Sequence, residues 1–519
     1  MKKKGKWAAI GVGVYLAVLK LLVYAESFSP ESSIRSLKDA LWYSLVTLTT
    51  VGYGDYFPVT VAGRIIGGIF LFLSVGFFAV LVGAGVSVFF GRMVSALRFL
   101  SHRENQWYVF TRNDPESCAL AVNLAGEDKD AFFIFLNTDQ PLPLPSARCT
   151  RFTGTVSELI RIKKSLDSIC VFCMGSDEAS SYSEAAALSS LGCRIYCMTE
   201  FEPSVRPDNV TLFNQYDCCA RMFWQNHPAS ALDRSIVLLG SGRYAETLLG
   251  RALLTNIFDP NQQIVYHVYG DYTGFRWEHS RLESMVAVDR LEEGRDSVFF
   301  HGERSASDHE ILENADRIII CSDSDTDNLV QLRQLRRHFS IRGKLYVRLL
   351  NGIGEPEVFG NDTEVFTPEL VMGTLLNRRA MAMHDIYSRA YPGGAAWEEL
   401  TEFQRQSNIA AADHIAVKVR LLLGTQDTRI THELCEKAVA RFREEHPRKA
   451  EWFRALEHTR WMRFHQFFNW QYAPVRNNAL RRHPLLVPYE ALSPEEQAKD
   501  DYAWELIGEI PGAEIEKQC

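Results

Sequence analysis

Residues 65–90 form a run of 26 positions without one Asp, Glu, Lys or Arg. As a helix rising about 1.5 Å per residue, the run is roughly 39 Å long, enough to cross a bilayer core of about 30 Å with some tilt. A second apolar stretch, 7–25, follows Lys2, Lys3, Lys4 and Lys6. Taken alone, it also reads as a secretory signal peptide, with Val23-Tyr24-Ala25 at the place of a cleavage site. The residues between the two runs make sense only if both helices stay, which favours a pair of spanning helices. Lysines before the first run, and Arg92, Arg98 and Arg103 after the second, put both ends on the cytoplasmic side by the positive-inside rule. Lys20, inside the first run, reads as a side chain that reaches up to the interface. The expected location is the plasma (inner) membrane, multi-pass, with both termini and all soluble domains cytoplasmic.

Between the runs, 38–49 is a short amphipathic segment that reads as a re-entrant half-helix, its C-terminal dipole end offering partial negative charge to a cation. Thr50-Val51-Gly52-Tyr53-Gly54 follows, and it resembles, letter for letter, the selectivity filter of potassium channels. The resemblance implies that carbonyls of Thr50, Val51, Gly52 and Tyr53, with the Thr50 hydroxyl, replace the water shell of K+. Gly52 and Gly54 permit the backbone angles this needs, and Trp42 and Asp55 are the expected support. Polar backbone at membrane depth is tolerable only where it lines such a cavity. Residues 7–91 as a whole resemble the two-helix pore of prokaryotic potassium channels, including Gly63-Arg64 after the filter. Such pores are homotetramers, and one filter loop per chain agrees with that. Two positions depart from the pattern: Val46 stands where some relatives carry a pore-helix carboxylate, and Ser74, with Gly76 nearby, where a hinge glycine is common.

At roughly 150 residues per domain, 519 residues leave room for two or three further domains. Residues 1–105 carry eleven Lys/Arg against five Asp/Glu, so within the total of −8 the remaining 414 residues carry −14. An acidic bulk argues against a nucleic-acid surface, which needs a clustered basic footprint. Eleven cysteines in this length are no disulfide framework and fit a reducing compartment.

From about 106, short apolar runs alternate with helical stretches, the pattern of βαβ units on a parallel sheet. Strands are expected at 107–111, 131–136, 148–153, 168–174 and 194–198, with helices at 115–125, 157–166 and 178–191. A second cycle has strands at 236–239, 264–269, 298–301, 317–321 and 344–349 and a helix at 243–258. Its first strand runs into Gly240-Ser241-Gly242-Arg243-Tyr244-Ala245, a GxGxxA turn opening a helix, where backbone N–H groups would meet a phosphate. Asp271 ends the next strand, where a carboxylate would accept a ribose hydroxyl. Gly240, Gly242, Arg243, Ala245 and Asp271 are therefore the candidate nucleotide or dinucleotide site, against the alternative of an inherited turn without ligand. The equivalent turn of the first lobe, Thr111-Arg112-Asn113-Asp114, has no glycine, and that lobe is expected to have lost nucleotide binding. The two lobes resemble tandem regulator-of-potassium-conductance domains, over roughly 106–390, which implies a gating ring that pulls on the pore. Cys170 and Cys173 spell CxxC inside an expected strand and read as buried thiols, not as a redox pair. Asp323, Asp325 and Asp327 suit either a divalent cation or a loop leading into a helix N-terminus, the commoner case.

A turn-rich break at 390–394 precedes a helical, aromatic tail. Its words Leu456-Glu457-His458-Thr459-Arg460-Trp461, Asn469-Trp470-Gln471-Tyr472 and His483-Pro484-Leu485-Leu486-Val487-Pro488-Tyr489, followed by a Ser-Pro-Glu-Glu helix start at Ser493, resemble the ryanodine-receptor repeat domain over about 397–510. The resemblance implies a ligand- or partner-sensing module. His458, Arg460, Trp461, Trp470, Tyr472 and Arg482 are its candidate contacts, with aromatic faces for a base and cationic groups for phosphates. Packing of the same aromatics into a small core is the competing explanation.

The fold class expected is thus multidomain: an α-helical membrane pore of two spanning helices and a re-entrant pore helix (1–105), two α/β Rossmann-like lobes (106–230 and 231–392, the second with a helical extension), and a mainly α-helical C-terminal domain (393–519). The function expected is a ligand-gated, potassium-selective channel with a nucleotide-like regulator, membrane lipid as its surroundings, no metal beyond potassium and no enzymatic turnover. The alternative is a membrane-anchored nucleotide sensor or a potassium-transport regulatory subunit that does not itself conduct.

Overall fold

The computed structural model describes residues 2–49, 51–69, 71–72, 75–76, 79, 82–83, 98–175, 177–201, 203, 206–302, 305, 308–350, 357–373, 375–390, 395–427 and 429–509. The chain divides into two compact units, Met1–Glu104 and Asn105–Cys519.

The first unit opens with helix α1 (Lys2–Glu26) and continues with α2 (Leu37–Leu48). Ser36 and Asp39 form a capping box that starts α2, the hydroxyl accepting from the Asp39 N–H and the carboxylate from the Ser36 N–H. The helices meet through Leu19, Leu22, Ile34, Ala40 and Tyr43, and the Tyr15 and Ser44 hydroxyls hydrogen-bond at 2.6 Å. Among the described residues no helix is long and apolar enough to cross a membrane. The described side chains of α1 begin at Val12, and much of the charge-free run, with Ser74 and Arg92, lies outside the described residues.

Among the described residues the second unit holds two large parallel sheets, besides a two-stranded one that pairs Gln471–Tyr472 with Arg482–His483. The first runs β3-β2-β1-β4-β5-β6, from β1 (Trp107–Phe110), β2 (Phe132–Leu136), β3 (Cys149–Phe152), β4 (Ile169–Cys173), β5 (Arg194–Met198) and β6 (Val210–Phe213). Strands β1, β2 and β4 are buried along their whole length, as apolar runs covered on both faces must be. The helices around this sheet are α3 (Pro115–Glu127), α4 (Val156–Lys163), α5 (Glu178–Leu188) and α6 (Gln215–Asn226). Asp114, in the glycine-free turn, is the N-cap of α3, accepting from the Ser117 N–H at 3.3 Å. The expected strands are present, and β6 is one the sequence pattern did not announce.

The second sheet runs β13-β12-β11-β7-β8-β10-β9. It comprises β7 (Ser235–Leu239), β8 (Val265–Tyr269), β9 (Ala287–Val288), β10 (Ser297–His301), β11 (Arg317–Ile320), β12 (Lys344–Arg348) and β13 (Val358–Phe359). Helix α7 (Arg243–Thr255) follows β7, and α8 (Asp325–His338) follows β11. Since β7 lies between β8 and β11, the strand order reverses there, and the ends of β7 and β11 bound the crevice in which open α/β sheets place ligands.

The tail is helical: α9 (Arg378–Ala390), α10 (Glu402–Leu423) and α11 (His432–Phe467). Helix α11 bends at Lys449, two residues beyond Pro447, whose ring has no N–H to give the helix. Ser493 caps the helix Pro494–Lys499, accepting from the Glu496 N–H at 3.3 Å, as the Ser-Pro-Glu-Glu word suggests. Residues 391–394 of the expected break lie outside the described residues. One apolar cluster links the two sheets and the tail, with Phe110 and Phe172 from the first sheet, Leu238 and Tyr266 from the second, and Val417 and Phe464 from the tail.

Candidate functional site

In the first unit the chain leaves α2 by a tight turn: the Val46 carbonyl accepts from Val51 N–H at 3.1 Å and from Gly52 N–H at 3.2 Å. Gly52 (φ +60) and Gly54 (φ +76) take the left-handed angles that side chains resist. The Trp42 indole N–H donates to Asp55 Oδ2 at 2.7 Å, and the Trp42 ring lies parallel to Tyr53 at 6.3 Å, with 4° between the planes. The structure thus brings Trp42, Tyr53 and Asp55 together around the turn. Val51 and Tyr53 are 54% and 69% exposed in the single chain. Thr50 lies outside the described residues.

Behind the turn stands a residue the sequence reading did not single out. Glu26, the last residue of α1, is fully buried. Its carboxylate accepts from the N–H groups of Val59 and Thr60, both at 3.0 Å, and from the Thr60 hydroxyl at 2.8 Å. A carboxylate at the end of an apolar run was the available signal.

In the second unit, the GxGxxA turn leads from β7 into α7 with Gly242 at φ +102. The two N–H groups that open α7, of Arg243 and Tyr244, both donate at 3.1 Å to the two oxygens of Asp323. A Cβ on Gly242 would stand 2.2 Å from Asp323 Oδ2, so the glycine makes room for the chain's own carboxylate. Arg243 reaches Glu200 of the first lobe at 2.5 Å, Glu246 at 3.0 Å and Glu278 at 3.5 Å. Hydrogen bonding to Glu200 raises its already high pKa. Ala245 is buried, Asp271 exposed. The Asp271 carboxylate accepts from Thr273 N–H at 2.9 Å, which holds it below the ordinary carboxylate range. A cavity of about 950 Å³ opens over the strand ends, and Ser241, Ser322, Asp323, Ser324 and Asp327 are among its walls.

Of the tail's candidates, His458, Arg460 and Trp470 are buried. His458 Nε2 bonds the Val487 carbonyl at 2.8 Å, and burial lowers its pKa. Arg460 pairs with Glu457 at 2.6 Å, and Glu457 pairs with Lys418 at 2.7 Å. Burial disfavours the Glu457 carboxylate, yet Arg460 and Lys418 outweigh it and hold its pKa well below the usual range. Trp470 lies parallel to Phe403 at 5.0 Å, and Trp461 packs among His458, His465 and His483. Tyr472 and Arg482 are exposed. The six residues are therefore divided between an interior network and an outer surface.

Residues 9–91 match the family described as "Ion channel". The chain is similar to the Shaker-related potassium channel tsha2 of Oncorhynchus mykiss, 34% identical over 115 residues, which are 22% of this chain and 21% of that one. It is also 37% identical over 83 residues to potassium voltage-gated channel subfamily A member 4 of Homo sapiens, 16% of this chain and 12% of the relative. The chain thus spans about a fifth or less of the length of these curated relatives. Among solved structures, a GsuK bound to ADP aligns with a TM-score of 0.35 and 17% identity, over 72% of this chain and 99% of that one. A GsuK channel bound to NAD aligns with a TM-score of 0.34 and 14% identity, over 72% and 83%.

Proposed function

We propose that the chain is one subunit of a homotetrameric, potassium-selective channel of the inner membrane, gated by a small ligand that its cytoplasmic part binds. The observation that carries this reading is the turn after α2. Gly52 and Gly54 hold positive φ there, and Tyr53 is backed by Trp42, which Asp55 fixes, in a segment similar to the pores of potassium channels. A carbonyl ring around K+ needs four such turns, and assembly would cover the exposed faces of Val51 and Tyr53.

Two Rossmann-like sheets and a helical tail, which follow in the sequence, supply surfaces for a regulator of the nucleotide class. The resemblance of 397–510 to ryanodine-receptor repeats supports a sensing role for the tail. Such a ligand opens or closes the pore only by binding one state better than the other. Binding, not turnover, is the role assigned to the lobes.

The test is ion flux into liposomes holding the purified full-length chain, with nucleotides added to the face that carries the lobes. Barium-blockable potassium flux that far exceeds sodium flux, and that changes with an added nucleotide, is expected. Equal sodium and potassium flux overturns the selectivity, and no flux under any addition overturns the channel reading and leaves the non-conducting sensor.

A further inference from the structure

The glycine turn at the sheet's switch point has the form of a phosphate cradle, and the chain fills it with its own anion. In a cradle that is open, the first N–H groups of the helix meet phosphate oxygens and the macrodipole favours their charge. Here both oxygens of Asp323 take the N–H groups of Arg243 and Tyr244, and the carboxylate occupies the space beside Gly242.

The filling is built, not incidental. Arg348, 1% exposed, donates from Nη1 to the carbonyls of Ser322 at 3.1 Å and Asp323 at 3.4 Å. Fully buried Asn328 fixes the same loop, accepting from Ser322 N–H at 2.8 Å and donating to the Ser322 carbonyl at 2.8 Å and the Arg348 carbonyl at 2.9 Å. The Ser241 carbonyl accepts from Asp323 N–H at 3.3 Å, and the Arg348 guanidinium lies 3.5 Å over the Tyr244 ring, binding the loop to the helix it caps. The cation on the first residue of the helix, Arg243, is engaged by Glu200, Glu246 and Glu278. A phosphate arriving here meets a carboxylate on the N–H groups it needs and further carboxylates around the arginine it would pair with, and like charges so close disfavour each other.

We infer that Asp323 determines the specificity of the switch-point crevice: it excludes phosphate from the GxGxxA turn, so that the crevice accepts a nucleoside-sized polar ligand but not the phosphates of a nucleotide. This rests on reading the crevice as a ligand site. A phosphorylated regulator of the channel binds elsewhere on the chain.

The experiment is isothermal titration of the purified full-length protein with ADP and with adenosine, comparing the wild type with Asp323→Ala. The variant is expected to bind one more ADP per subunit than the wild type, with an affinity for that site at least tenfold higher, while adenosine binding stays within about threefold. Equal ADP stoichiometry in a variant that melts within a few degrees of the wild type overturns the inference. Asp323→Asn keeps an acceptor oxygen and removes the charge, and serves if the alanine variant does not fold. It is expected to gain ADP binding severalfold, and no gain overturns the inference equally. The readout does not pass through the pore, so a failure here leaves the channel reading standing, and absent ion flux leaves this inference standing.

Discussion

The space that a side chain would need at Gly63 is filled by the carboxylate of Glu26: a Cβ there would stand 1.9 Å from Glu26 Oε1 and 2.8 Å from Thr60 Oγ1. The Thr60 hydroxyl accepts from the Gly63 N–H at 2.8 Å, so Glu26, Thr60 and Gly63 close one knot between the end of α1 and residues 60–63.

Two variants test that knot. Gly63→Ala forces the carboxylate off its donors, and overpacking of this kind costs about 1–3 kcal/mol. Glu26→Ala leaves the Val59 and Thr60 N–H groups without their acceptor, at about 1–3 kcal/mol for a buried group. Both proteins are expected to melt below the wild type when followed by intrinsic fluorescence in detergent. An unchanged melting temperature would show that the knot contributes nothing to stability.

Trp42→Phe keeps a ring against Tyr53 and deletes the donor to Asp55. A hydrogen bond to a charged group is worth about 1.5–3 kcal/mol, less where water competes, as it does for half-exposed Trp42. If the turn is the ion pathway, the potassium-to-sodium flux ratio in liposomes falls severalfold while the protein remains folded. A ratio equal to that of the wild type would remove Trp42 and Asp55 from the filter's support.

Much of the second unit is legible in the sequence because its signals are local. Apolar runs such as 132–136 and 169–173, with helical stretches between them, read as buried strands, and Ser493 announces a helix start by its own side chain. What stays hidden depends on residues distant in sequence. Asp323 lies 80 positions from Arg243 and fits a loop before a helix equally well, so nothing local says that its carboxylate turns toward another helix. That Val487 takes His458 Nε2, and Glu457 takes Arg460 Nε and Nη2, is likewise visible only in the fold. In the first unit, the letters of 50–54 carry the motif, whereas Glu26 becomes informative only once Val59 and Thr60 are placed beside it.

Cys170 and Cys173 are both fully buried in β4. Burial pushes the Cys170 thiol up to about 11 and that of Cys173 higher still. Since the thiolate is the reactive form, neither is expected to react with a maleimide at pH 7.5 within an hour in the folded protein, and both are expected to react in denaturant. Mass spectrometry of the labelled peptides reads this directly. Rapid labelling of the native protein at either position would restore the redox reading of the CxxC word.

Asp500 carries a pH dependence of stability. Burial pushes its carboxyl up to about 7, and Glu457 adds to the rise, while Arg460 and Lys418 oppose it. His458 Nδ1 faces it at 3.9 Å. An unfolded Asp titrates near 3.9, so between about pH 4 and pH 7 the folded protein holds the proton and the unfolded chain has lost it. The contribution of this group to stability is therefore full below about pH 4 and is lost as pH rises through 7. Asp500→Asn keeps the shape without the charge, and its melting temperature is expected to gain on the wild type from pH 5 to about pH 7 and to level off above that. Parallel curves across that range would show that Asp500 ionises freely in the fold.

The joint between the tail and the second sheet rests on a fully buried carboxylate. Asp296 accepts from Ile264 N–H at 2.7 Å, Gln262 Nε2 at 2.7 Å and Arg463 Nη1 at 2.6 Å, the last from α11. Arg463 is itself 4% exposed, so neither charge has water to fall back on. Removing one member of such a pair is expected to cost about 3–5 kcal/mol, because the other stays buried and unpaired. Arg463→Met is therefore expected to lower the urea midpoint of the second unit strongly. Arg463→Met with Asp296→Asn removes both charges and is expected to recover part of the loss. A double variant no more stable than the single one would assign the cost to packing of the arginine stem, and the ion pair would then not be what fastens α11 to the sheet.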